Sequence, residues 1–353
     1  GAPAASPAAK ENDFLHFLHT TAGKISPISI SYNQGLNRTG EGVIGRVPNG
    51  YKFGWLPDHG LEHSPNVGIN TGNWEFSRDF SIRSGLKPTP RITINVNYTQ
   101  NTSASLNGAG LDKRTLSRDY LAWGKVLDKG RPFTGWSVRI TGLEKLPIIK
   151  KVVQNATLEH AYSGKQTMAW KIENQKVGRM DFFQPDPFIS QNQDYLTNST
   201  IDQSFSPLLG LSMTLAKDIS VTVRRNQSTS VEQRDQGLSM RKENSWTASS
   251  SYNHRGGFTI PLPFMKDFRI QNNMSFTLNY DSNKSETFGS KEENKFTRLT
   301  LNTMWKVGLR IQYSFTSKVT GGMNYEYRET ETNATGKKID RDFGFDLNLA
   351  ISG

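Results

Sequence analysis

Apolar and polar residues alternate with a period of two along most of this chain. Ile28, Ile30 and Tyr32 alternate with Ser29 and Ser31. Trp74, Phe76, Phe80 and Ile82 share one parity, with Arg78 between them. Ile92, Ile94, Val96 and Tyr98 alternate with Thr93, Asn95 and Asn97, and Trp136, Val138 and Ile140 follow. Leu209, Leu211, Met213 and Leu215 run into Lys217-Asp218, and Ile219, Val221 and Val223 leave it. Met274, Phe276, Leu278 and Tyr280 alternate with Ser275, Thr277 and Asn279. Leu309, Ile311, Tyr313 and Phe315 lead to Thr316-Ser-Lys318, with Met323, Tyr325 and Tyr327 beyond it. The last set is Phe343, Phe345, Leu347, Leu349 and Ile351. Side chains on a strand alternate between its two faces, so each set predicts a strand with one apolar and one polar face.

Short turns are expected at Lys217-Asp218 and Ser317-Lys318, and long polar connections at 226–244, 281–295 and 328–341. Segments of about ten residues joined in this way predict an all-β fold. The fold expected is an antiparallel transmembrane β-barrel, or part of a very large one, with long polar outer loops and short inner turns. Tyr98, Tyr252, Tyr280 and Tyr327 each end an apolar set. That suits an interface where the ring is dry and the hydroxyl wet, though Tyr also forms strands well anywhere. Residues 1–24 read as a linker with a short helix over Glu11–Thr21, and 25–353 as the barrel segment. The stretch 141–208 is less regular. Pro147, Pro185, Pro187 and Pro207 interrupt it, and Phe182–Phe188 reads as an ordered loop.

Composition sharpens the choice. Only 35% of the 353 residues are hydrophobic, yet 10% are aromatic. A soluble domain of this length is usually more apolar, and a disordered chain less aromatic. A wet-lumened barrel needs apolar residues only at alternate positions. No run of about 18 apolar residues exists, so no transmembrane helix is expected. Residues 1–9 lack the basic start and Leu-rich centre of a signal peptide, and a fragment or processed product is expected. Cysteine is absent, which removes disulfides and thiolate metal sites. The net charge of +11 raises nucleic acid as a partner. The basic pairs Lys150-Lys151, Arg224-Arg225 and Lys337-Lys338 sit among acids, however, and the expectation is solvated strand faces and no nucleic acid. Asn37-Arg-Thr and Asn155-Ala-Thr match a glycosylation triplet through composition alone.

Candidate chemistry is sparse. His59 and His63 lie four apart, but Pro57, Gly60 and Pro65 oppose the helix that would bring them together on a metal. His16 and His19 have no third ligand nearby. His160 reads as a hydrogen-bonded strand histidine, and Glu292-Glu293 as loop acids. No nucleophile elbow, phosphate loop or dinucleotide fingerprint occurs. No catalytic, cofactor or metal residue is therefore assigned, no cofactor is expected, and the chain is not predicted to be an enzyme.

Several phrases along the chain resemble a known family. Leu146-Pro-Ile-Ile-Lys150 leads to Ala156-Thr-Leu-Glu-His-Ala-Tyr162. Ser204-Phe-Ser-Pro-Leu-Leu-Gly210 precedes Ile219-Ser-Val-Thr-Val-Arg-Arg225. Ile311–Tyr327 and the ending Phe343–Gly353 follow. In this order they resemble the C-terminal region of the SprA/Sov family, the giant outer-membrane translocons of type IX secretion in Bacteroidetes-like bacteria. The resemblance spans about residues 20–353, and is best from 140 on. It implies a very wide single-chain barrel with a side opening, a PorV-like small barrel and a periplasmic plug protein as partners, and folded secreted proteins as cargo. It gives no residue a role in cargo contact. Three other readings remain open: a TonB-dependent or porin-like outer-membrane transporter, a soluble secreted β-rich adhesin, and an outer-membrane enzyme, which would place a Ser or Asp near His at the rim. The adhesin would bury Met274, Phe276 and Leu278 beneath a second sheet, whereas a barrel turns them to lipid. Asn95, Asn97, Thr222, Arg224, Thr277, Asn279, Arg310 and Gln312 are the expected lumen-facing residues.

Overall fold

The computed structural model describes residues 23–350 apart from 41, 54, 57–59, 63, 65–71, 108–112, 123–129, 172–195, 216–218, 235–236, 255–257, 263–264, 271, 291–294 and 317. The expected helix over Glu11–Thr21, the Phe182–Phe188 loop, His16, His19, His59, His63 and Glu292-Glu293 lie outside the described residues.

Strands dominate. In chain order they are β1 (Ser29–Gly40), β2 (Gly72–Thr89), β3 (Ile92–Asn107), β4 (Lys113–Leu121), β5 (Arg131–Pro132), β6 (Gly135–Thr141), β7 (Val153–Lys171) and β8 (Leu196–Leu215). They continue as β9 (Ile219–Arg234), β10 (Gly237–His254), β11 (Phe258–Leu262), β12 (Met265–Ile270), β13 (Met274–Ser290), β14 (Thr297–Ser314), β15 (Val319–Thr332) and β16 (Gly336–Leu349). Fourteen of these form one antiparallel sheet in the order β1-β2-β3-β4-β7-β8-β9-β10-β13-β14-β15-β16, with β5 on β4 and β6 between β3 and β7. β11 and β12 pair only with each other. They occupy the connection from β10 to β13, so that end of the sheet carries one long excursion as well as short turns.

Directly paired residues in an antiparallel ladder point to the same side, so the register tests the parity reading. Phe276 lies opposite Tyr252 and Ile311, Leu278 opposite Ser250 and Leu309, and Tyr280 opposite Ala248 and Val307. Ile311 continues to Met323 and Phe345, and Leu309 to Tyr325 and Phe343. On the other flank Ile30 meets Ile82, which meets Tyr98. The apolar sets thus merge into one face. Among the described residues no second sheet covers it: Leu278 is 49% exposed and Phe345 74%. A soluble adhesin would bury these side chains, and that reading is set aside.

The segments 226–244, 281–295 and 328–341, expected to be long polar connections, are mostly strand. β9 and β10 pair from Ile219↔Tyr252 up to Arg234↔Gly237, and β15 and β16 up to Thr332↔Gly336. Two residues separate the first pair of strands and three the second. Gly336 closes the latter turn at φ 68, a region L side chains rarely adopt. The alternation fades there because both faces become polar, while the backbone ladder continues. Lys284, Glu286 and Arg298 form one ion-paired cluster on this upper part, with contacts of 3.2 and 3.4 Å.

Pro207 sits inside β8, where a proline deprives the ladder of a donor. The sheet accommodates it with a register shift between Phe205 and Leu209, matched on β7 by one between Glu159 and Tyr162. His160 Nδ1 donates to the Leu208 carbonyl oxygen at 2.7 Å, supplying the bond that the bulge leaves unmade. This is the hydrogen-bonded strand histidine expected from sequence.

Candidate functional site: the polar wall and its interrupted strand

The apolar face is a band of limited height. On β13 it runs from Met274 to the level of Ser282, which pairs with Trp246 and Trp305. Eight residues at roughly 3.3 Å each give about 26 Å along the strand, or about 20 Å of height at a tilt near 40°. Tyrosine hydroxyls mark its upper margin by reaching two residues further up the same face. Tyr32 donates to Gln34 Oε1 at 2.7 Å, Tyr98 to Gln100 Oε1 at 2.9 Å and Tyr327 to Glu329 Oε2 at 3.2 Å. Tyr252, also expected at such a margin, instead lies at the opposite, turn end of the band. There its hydroxyl meets His254 Nδ1 at 2.9 Å. An apolar band with aromatic margins, on a single-layer antiparallel sheet, is the lipid-facing surface of an outer-membrane β-barrel wall.

The opposite face is hydrophilic. The register places Asn95, Asn97, Thr222, Arg224, Thr277, Asn279, Arg310 and Gln312 on it, as expected for the lumen. Its charges neutralise one another within and across strands. Lys306 lies 3.3 Å from Asp281 and 3.8 Å from Glu326, and Arg328 also bonds Glu326. Glu159 takes Arg139 at 3.8 Å and Arg224 at 3.4 Å, and Arg310 reaches Asp346 at 4.0 Å. Hydroxyls and amides pair similarly: Asn95 donates to Ser137 at 3.3 Å, and Asn226 to Ser245 at 3.3 Å. Two shallow grooves of about 460 and 170 Å³ run along this wall and share Thr247, Asp281 and Lys306. Among the described residues no group of acids and histidines could hold a metal ion.

The wall contains one discontinuity. Between β3 and β7 the strand position is filled by two half-strands. β6 pairs β3 up to Asn97, and β4 takes over from Gln100. β4 ends at Leu121, and its last two residues pair with β5 at Arg131 and Pro132. Side chains replace the missing ladder. The Thr99 N–H donates to Asp119 Oδ2 at 2.8 Å and its hydroxyl to Oδ1 at 3.0 Å, while Tyr162 donates to the Tyr120 carbonyl at 2.9 Å. Trp136 stacks on Tyr162 at 4.4 Å, and Phe205 packs on the other side at 4.9 Å. Tyr120, Ala122 and Ile201 form a small buried cluster at the end of β4. Gly130 and Gly164 are bare where Tyr120 passes, since a Cβ on either would overlap it. Sequence reading missed this break. Its signal is the run Gly130-Arg-Pro-Phe-Thr-Gly135, whose glycines and proline cut an otherwise continuous strand.

No family model and no curated protein matches the chain. Among solved structures, the translocator domain of the autotransporter NalP from Neisseria meningitidis overlays 98% of this chain and 97% of its own, at 8% identity and TM-score 0.25. The β domain of the Bordetella autotransporter BrkA overlays 93% and 100%, at 7% identity and TM-score 0.27. The Vibrio cholerae outer-membrane protein OmpT overlays 91% and 96%, at 9% identity and TM-score 0.26. At these scores the likeness assigns no function to the chain, and the membrane reading rests on the sheet's own two faces.

Proposed function

We propose that this chain is a segment of the wall of a protein-conducting outer-membrane barrel, of the type IX translocon class its phrases resemble. It passes folded cargo through a polar lumen and is a conduit, not a catalyst. The observation that supports this best is the pairwise neutralisation of the polar face. Arg139–Glu159–Arg224 and Asp281–Lys306–Glu326–Arg328 satisfy one another within the wall. A passing surface then meets few unpaired charges and no apolar patch to adhere to. A small-solute transporter needs instead a constricted site of converging polar groups. The break between β4 and β6 suits a side opening closed by aromatic packing, where a PorV-like barrel would take up cargo. A periplasmic plug protein would close the lumen from the turn side.

The test is genetic. Deleting 25–353 from the parent gene is expected to abolish export of large proteins to the cell surface while nutrient uptake continues. Lost uptake of a small solute with secretion intact contradicts the translocon and favours the transporter.

A further inference from the structure

Three arginines on the lipid-facing side differ from every ion-paired base described above. Arg78 on β2, Arg225 on β9 and Arg341 on β16 share the apolar parity: Arg78 lies between Phe76 and Phe80, Arg225 follows Val223 and Arg341 precedes Phe343. Among the described residues none of the three forms an ion pair, whereas the neighbouring Arg224, on the polar face, meets Glu159. The Nε atoms of Arg78 and Arg225 are buried without a hydrogen-bond partner. Each guanidinium lies over a ring: Arg78 over Phe76 at 5.5 Å, Arg225 over Trp246 at 5.2 Å and Arg341 over Tyr327 at 5.7 Å. Each ring orients its guanidinium, and each side chain shares its face with apolar neighbours.

We propose that Arg78, Arg225 and Arg341 form a belt that binds the phosphate groups of lipids in the outer leaflet, foremost the diphosphorylated glycolipid lipid A. This rests on the outer-membrane reading. It adds a ligand and its contact residues. An arginine among apolar side chains with no ion pair of its own gains most from an anion that shares its depth. A phosphate meets the planar guanidinium through two parallel hydrogen bonds. The three residues lie five strand positions apart in the sheet order, roughly 24 Å each at about 4.8 Å per strand. They therefore hold separate headgroups, a ring of lipid contacts in place of one pocket.

The experiment uses the full chain reconstituted in phosphatidylcholine nanodiscs, with diphosphoryl lipid A as probe and retained lipid counted by native mass spectrometry. The wild type is expected to retain lipid A at least tenfold more strongly than the R78Q/R225Q/R341Q variant. The triple Arg→Lys variant should recover part of the difference. Lipid A stripped of both phosphates should not be retained. Equal retention by wild type and the Gln variant, with both inserted, overturns the belt and leaves the barrel reading intact. Inorganic phosphate binding as tightly as the lipid assigns the site to a soluble anion and overturns the lipid proposal. Failure of the wild type to enter the bilayer overturns both readings together.

Discussion

Leu278→Arg probes the lipid-facing band at its centre. Leu278 lies four residues above Met274 and four below the level of Ser282, Trp246 and Trp305. That puts it about 13 Å along the strand, and about 10 Å in height, from either margin. Its side chain is 49% exposed and flanked by Ser250 and Leu309, with no acid on the same face beside it to pair an introduced cation. An arginine at the midplane of a barrel's lipid face costs about 2–4 kcal/mol. At 1.36 kcal/mol per decade this is a roughly 30- to 900-fold loss in the folding equilibrium. The neighbouring Thr277→Arg places the same charge on the polar face, among Ser251 and Arg310, where water solvates it. It is expected to cost below about 1 kcal/mol. Urea titration of the chain folded into short-chain phosphatidylcholine vesicles measures both variants. Equal costs, or a greater cost at 277, would refute the assignment of faces.

Other substitutions test the break and the wetness of the wall. Tyr162→Phe removes the donor to the Tyr120 carbonyl at a site only 3% exposed. It should destabilise by about 1–3 kcal/mol in the same titration, and no change would mean that the carbonyl finds another partner. Gly164→Ala puts a methyl against the Tyr120 backbone. Overpacking of about 1–3 kcal/mol is expected in the same titration, and an unperturbed variant would contradict the close approach. Lys306→Met strips the cation from between Asp281 and Glu326. In a water-filled lumen the loss is below about 1 kcal/mol, whereas a cost of about 3–5 kcal/mol would mark the cluster as buried.

The faces of the sheet were legible because their cause is local. Parity alone assigns Met274, Phe276 and Leu278 to one side and Ser275 and Thr277 to the other, and the register agrees. Strand length was not legible. Alternation reports only where one face meets lipid, and it stops near Tyr280 and Tyr327, although β13 continues to Ser290 and β15 to Thr332. Above the band both faces are wet, so polar stretches such as 226–234 look like loops while their backbones remain paired. The irregular reading of 141–208 had a different origin. β7 spans Val153–Lys171 with Gly164 and Gln166 at apolar-parity positions, where the Tyr120 backbone packs against Gly164 and Gln166 is buried. Pro207 signalled an interruption correctly, but the outcome is a bulge within β8 and not its end. The proposed arginine belt is not legible in the sequence for a related reason. Arg78 interrupts an apolar set and Arg225 reads as half of a basic pair among acids, and neither stands out until the ring beside it is seen.

The central claim is that one face of this sheet meets lipid and the other water. The chain has no cysteine, so single cysteines can be introduced without background. Spin labels at each position from Met274 to Ser282, in the chain reconstituted in vesicles, report contact with lipid through dissolved oxygen and with water through a charged nickel chelate. The account predicts a strict period of two: oxygen access dominant at 274, 276, 278 and 280, and chelate access dominant at 275, 277, 279 and 281. Positions of both parities open to the chelate, or even positions closed to both reagents as in a packed protein core, would contradict it.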